Sequence, residues 1–194
     1  NSAGGAVSVS AYNIDKTVNF ENCIFDNNTG KHASGLFIRG MAGNDITVTL
    51  NNCLVTNNTT SSTASGTNQT TVMALSLQTG GNLDVDIINS TFSKNTNTYS
   101  GTNDVSSILV YAQSASGTKN VNIDNCIFYG NTSDDKLVGV HSSSVGDYNS
   151  FKVNNSICDV SSTGTYYSET KVVNSNPMCT DASNDDFTLK AGSP

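Results

Sequence analysis

Apolar residues recur along this chain at every second position, in short runs separated by polar turns. Val18 and Phe20 alternate with polar neighbours, an Asn-Cys bend follows, and Phe25 resumes the pattern. Five segments repeat it without gaps, over 18–28, 48–58, 85–95, 121–131 and 151–161. Their shared asparagine falls at Asn22, Asn52, Asn89, Asn125 and Asn155, at intervals of 30, 37, 36 and 30 residues. A small thiol or hydroxyl always comes next, at Cys23, Cys53, Ser90, Cys126 and Ser156. Two positions later sits Phe25, Val55, Phe92, Phe128 or Cys158, and three further on Asn28, Asn58, Asn95, Asn131 or Ser161. Alternation with period two marks a strand with one buried face, and self-similarity at such intervals marks a stack of repeats.

A second apolar run lies between these units, at Ala6–Val9, Leu36–Ile38, Leu75–Leu77, Ile108–Ala112 and Leu137–Val140. Each repeat therefore holds two or three short strands. One coil alone cannot bury its apolar face, but stacked coils form a continuous core. The expected fold is all-β, a right-handed parallel β-helix of about five to six coils, in one domain over 1–194. Stacking in register sets each side chain roughly 4.8 Å above its counterpart. Phe20, Leu50, Ile87, Ile123 and Val153 then form one aliphatic ladder, and Phe25, Val55, Phe92 and Phe128 a second. The Asn22 column is expected as an amide ladder at a bend, because asparagine tolerates left-handed backbone.

Composition narrows the partners. The chain of 194 residues has 27 Asn, no Trp and 13% charged residues, and helix formers are scarce. Its net charge of −7 rests on a single arginine, Arg39, and eight scattered lysines. Nucleic acid needs clustered cations, and an anionic membrane surface repels this balance, so neither partner is expected. No apolar run approaches the ~20 residues that span a bilayer. The chain opens mid-motif at Asn1, which suggests a piece of a longer parent chain.

Gly4-Gly5-Ala6-Val7 and the repeated Asn-Cys-x-Phe-x-x-Asn resemble the parallel β-helix repeats of bacterial surface proteins. That group includes polysaccharide lyases, adhesins and autotransporter passengers, among them the chlamydial polymorphic membrane proteins with their GGA and FxxN motifs. The tail, Asn176-Pro177-Met178-Cys179-Thr180-Asp181 and then Asp186-Phe187-Thr188-Leu189 to Gly192-Ser193-Pro194, is similar to the closing coil of secreted Bacteroidota β-helix proteins. Residues 172–194 are expected to be that coil. The resemblance implies a secreted or cell-surface location. It specifies activity hardly at all, because one scaffold hosts many functions.

Cys23, Cys53 and Cys126 share one inward column and read as small buried apolar residues. Cys158 and Cys179 are the candidate pair for a disulfide between the last coil and the tail. Five cysteines leave one thiol unpaired within the chain. No short paired Cys or His spacing suggests a metal site, and no cofactor is expected.

Candidate chemistry falls on an outward strand face. With Val9, Ile38, Leu77, Val110 and Val140 inward, the residues after them, Ser10, Arg39, Gln78, Tyr111 and His141, point outward in one column. Phe37 and Leu109 join that face. An aromatic, a guanidinium, an amide, a phenol and an imidazole together suit a polysaccharide or host glycan. Arg39 and His141 are the only attractive catalytic pair, and their repeats are three coils apart, too far to act on one bond. Asp134-Asp135 and Asp185-Asp186 read as solvated loops. The expectation is a structural or adhesive segment with weak carbohydrate binding and no catalytic residues of its own. The alternative is a polysaccharide lyase or glycoside hydrolase whose catalytic coils lie partly outside this piece.

Overall fold

The computed structural model describes residues 5–41, 43–61, 71–77, 80–98, 106–112, 117–132, 136–140, 150–159 and 167–194. Side chains are described throughout these spans except in the strands Ser106–Ala112, where only Ile108 is, and Lys136–Val140. The described residues form strands and turns with one short 3-10 turn at Ala182–Asn184. No helix among them is long and apolar enough to cross a membrane.

Three parallel sheets run the length of the stack. The first joins Val7–Ala11, Ala33–Gly40, Thr71–Leu77, Ser106–Ala112 and Lys136–Val140. The second joins Lys16–Glu21, Ile46–Asn51, Leu83–Ile88, Lys119–Asp124, Ser150–Asn154 and Tyr167–Thr170. The third joins Ile24–Asp26, Leu54–Thr56, Thr91–Ser93, Ile127–Tyr129 and Ile157–Cys158. A short ladder of Thr29–Gly30, Thr59–Thr60 and Thr96–Asn97 extends the third. Each strand of these sheets pairs with its equivalent one repeat away rather than with its chain neighbour, which is the topology of a parallel β-helix.

The register places like on like, as the repeat implies. Phe20, Leu50, Ile87, Ile123 and Val153 are successive partners in the second sheet. Phe25, Val55, Phe92, Phe128 and Cys158 are successive partners in the third. Phe92 and Phe128 stack with centroids 4.6 Å apart and planes inclined by 13°. The core closes at Val48, Leu50, Ile87, Ile123 and Val153, whereas Val18 and Phe20 of the first coil stay partly exposed.

The bends explain the polar columns. Asn22, Asn52, Asn89, Asn125 and Asn155 all hold left-handed backbone, with φ between 47° and 55°. The thiol or hydroxyl that follows turns back to the carbonyl two residues earlier. Cys126 Sγ lies 3.2 Å from Asp124 O, Ser90 Oγ donates to Ile88 O at 2.8 Å, and Ser156 Oγ to Asn154 O at 2.6 Å. The same oxygen accepts the backbone N–H of the coil before it, as Ser90 Oγ does from Cys53 and Ser156 Oγ from Cys126. A second left-handed position, at Asn27, Asn57, Lys94 and Gly130, ends the first four third-sheet strands. A sixth copy of the first bend exists at Lys171, also left-handed, following Tyr167–Thr170. Lysine there hides the repeat from a motif search.

Two expectations change. The unbroken amide ladder is the second asparagine column rather than the first. Asn28, Asn58 and Asn95 each donate both backbone N–H and Nδ2 to the Oδ1 of the next asparagine, at 2.9 to 3.1 Å. Asn58, Asn95 and Asn131 also donate Nδ2 to the carbonyls of Phe25, Val55 and Phe92. The exposed first column bonds in pairs instead: Asn52 to Asn22 and Asn125 to Asn89, both at 2.7 Å, while Asn89 and Asn155 reach sideways to Asn51 and Asp124.

In the first sheet, Ile38 faces Leu75, and Leu77 faces Gly40. The third coil is thus offset by two residues from the sequence alignment, which preserves the inward parity of Leu77 but brings Ser76 opposite Arg39.

Candidate functional site

The first-sheet face divides into what is covered and what is open. Phe37 alternates with inward Leu36 and Ile38, yet it is only 7% exposed and packs with Ala33 and Ala74. The strands Ala33–Gly40 and Thr71–Leu77 are buried on both faces except at half-buried Arg39. Ser10, Arg39, Ser76 and Tyr111 follow one another in the backbone register. Gln78 and His141 lie outside the described residues, as do Asp134 and Asp135. Of the expected face, the structure therefore brings Arg39 and the backbone of Tyr111 to either side of Ser76. The Nε of Arg39 is buried without a hydrogen-bond partner, as is the Oγ of Ser34 on the same strand.

A second surface was not anticipated. Beyond the last coil the chain forms an antiparallel pair, Cys179–Asp181 with Asp186–Leu189. This tail folds back along the outside of the third sheet. Asp185 accepts from Lys94 Nζ at 2.7 Å and from Asn57 Nδ2 at 3.2 Å, and Lys94 Nζ also sits 5.6 Å from the Phe187 ring centroid. The Lys94 contact, and then Asn57, hold the Asp185 carboxyl below the usual carboxylate range.

Between the tail and the bends runs an open groove of about 460 Å³. Asn22, Asn52 and Asn89 line it together with Ile24, Leu54 and Phe187. A smaller recess of about 250 Å³ lies further along the stack, between Asn125, Asn155 and the tail residues Leu189 and Pro194. The outward column beside the asparagines is Ile24, Leu54, Thr91, Ile127 and Ile157. Ile157 is buried, but Ile24 is 70% exposed. Alternation about the inward Phe25 column is the signal that could have found this outward column, apolar except at Thr91. The Asp185-Asp186-Phe187 run was the remaining signal, and its contact with Lys94 joins residues 91 positions apart.

The cysteines are all free thiols, Cys158 and Cys179 included. Burial pushes the Cys126 thiol up to about 12, and burial followed by the charges of Cys126, Glu169 and Asp159 does the same at Cys158. Burial also raises Cys53 and Cys179. A thiol held protonated is a poor nucleophile and a poor metal ligand. Among the described residues no group of three His, Cys, Asp or Glu side chains is arranged to hold a metal ion.

No protein-family model, curated protein or solved structure matches the chain.

Proposed function

We propose that this chain is a structural and adhesive β-helix segment of a secreted or cell-surface bacterial protein, with weak glycan binding as its outward contact. The observation that carries the reading is the repetition of polar side chains at coil spacing on an otherwise self-bonded rod. Inside, the Asn28–Asn131 column ties the first four coils together. Outside, Asp84 with Asn120 and Asp86 with Asn122 form further coil-to-coil pairs, and the exposed asparagine column offers one carboxamide per coil. A rigid rod with an evenly spaced polar surface suits the holding and presenting of an extended polymer. The secreted, surface location is supported by the resemblance of the repeat and tail motifs.

A second reading, a polysaccharide lyase or glycoside hydrolase, is favoured by one observation. Arg39 is the half-buried residue of an otherwise buried strand, and its guanidinium is the kind of group that pairs with a uronate carboxylate. One panel of uronate and neutral polysaccharides separates the two. Binding on a glycan array without new reducing ends or unsaturated products supports the adhesive role. Product formation lost in Arg39→Ala supports the enzyme.

A further inference from the structure

The groove beneath the tail brings polar and apolar groups of the bends together with the ring of Phe187. Its floor sets two stripes side by side: carboxamides at Asn22, Asn52 and Asn89, and the column of Ile24, Leu54 and Thr91. Its wall is the aromatic ring of Phe187. Pyranose rings present the same pair of surfaces, hydroxyls along their edges and apolar C–H faces, and sugar sites answer them with amides and aromatics. Neighbouring coils repeat these groups every ~4.8 Å, close to the length of one sugar unit. The volume of about 460 Å³ falls within the ~300–1,000 Å³ range of small-ligand sites.

Two features narrow the ligand. Lys94, the cation nearest the tail contact, is already engaged by Asp185, and Asp186 also lines the groove. An anionic glycan therefore meets carboxylates with no free cation among the lining residues. A peptide strand is disfavoured as well, because the backbone groups of the third-sheet strands are spent on coil-to-coil pairing. Strand addition needs a free edge, and this surface is a face.

We propose that the groove binds an extended neutral oligosaccharide lying along the stack, one sugar per coil, with Ile24 and Phe187 packing on the rings and the asparagines bonding the hydroxyls. The inference rests on the adhesive reading and locates its binding site.

The test is calorimetric titration of the full chain with neutral oligosaccharides of increasing length, with oligogalacturonate in parallel. The Ile24→Ser and Phe187→Ala variants are titrated alongside, with unchanged circular dichroism as the folding check. The expected result is affinity that grows with chain length to about the span of the groove, is indifferent to salt, and falls about tenfold in each variant. A neutral glycan bound equally well by both variants overturns the groove and leaves the adhesive reading standing. Binding of oligogalacturonate alone overturns the groove as well. No glycan bound at all overturns both.

Discussion

Asn95 meets Asn131 through a single oxygen: its backbone N–H and its Nδ2 both donate to Asn131 Oδ1, at 3.1 and 2.9 Å. Its own Oδ1 accepts the same two bonds from Asn58, and its Nδ2 also reaches Val55 O at 2.9 Å. The side chain is 2% exposed, so water cannot replace these partners. Asn95→Ala strands the Asn58 backbone N–H inside the stack, and takes one acceptor from Asn58 Nδ2 and one donor from the Val55 carbonyl. The expected loss is about 2–4 kcal/mol, since each orphaned buried group costs about 1–3. Urea denaturation checks it, and an unchanged midpoint would show that the ladder is dispensable.

The exposed column works differently. Asn125 holds φ at 54° and lies in solvent, so its main contribution is conformational. Alanine in left-handed backbone costs about 1–2 kcal/mol, whereas glycine adopts it freely. Asn125→Ala should therefore lower the denaturation midpoint clearly, and Asn125→Gly only slightly. Equal losses in both would make the 2.7 Å bond to Asn89 the dominant contribution instead.

Phe92 is fully buried and stacked on Phe128. Phe92→Ala removes a ring from the middle of the third-sheet column, where the coils on either side prevent collapse into the cavity. The expected loss is on the order of 3–5 kcal/mol in denaturant titration. A loss below about 1 kcal/mol would show that the neighbouring coils repack around the gap.

The buried thiols link stability to alkaline pH. Cys126 and Cys158 are raised from 9.0 to about 12 in the folded chain. Above pH 9 the unfolded chain releases these protons while the folded chain retains them, so stability is full below that point and falls as pH rises toward about 12. Tyrosines and lysines also titrate in this range, so the difference between wild type and Cys126→Ser isolates the thiol. Serine already occupies this column at Ser90 and Ser156 and should fold normally. Urea midpoints measured at neutral pH and above 9 should converge less steeply toward zero in Cys126→Ser. Identical slopes would refute the linkage.

What the sequence made legible follows from period and spacing. The in-register stack, the Phe20 and Phe25 columns and the left-handed bends at Asn22 and its equivalents were all readable, because each depends on local alternation or on one residue type recurring. The inner ladder was present as a column of four asparagines but not as a ladder, because alternation does not tell which asparagine turns into the core. The two-residue offset between Ile38 and Leu75 escaped alignment because Leu75 and Leu77 both point inward. Lys171 escaped because lysine replaced asparagine at a left-handed bend. The groove depends on a tail contact across most of the chain, from Asp185 to Lys94 and Asn57, and no short-range pattern encodes it. For the outward first-sheet column, alternation gave the parity of Phe37 but not that it would be covered.

That tail contact should be the weakest part of the molecule and the one most easily tuned. Lys94 and Asp185 are partly exposed, with side chains 29% and 45% accessible, so salt screens them readily. The Asp185 carboxyl is held below its usual value by Lys94 and then Asn57, so its hold on the tail persists above the normal carboxylate range and is lost as pH falls through its depressed folded value. Asp185→Asn keeps the shape and removes the charge. It should leave the global denaturation midpoint nearly unchanged, because the coils carry the stability. Amide exchange in 186–194 should accelerate in that variant, and high salt or acid should accelerate it in the wild type. The strands of the second and third sheets should remain protected under all three conditions. Tail exchange that is indifferent to charge, salt and pH would assign the docking of the tail to Phe187 and Leu189 alone.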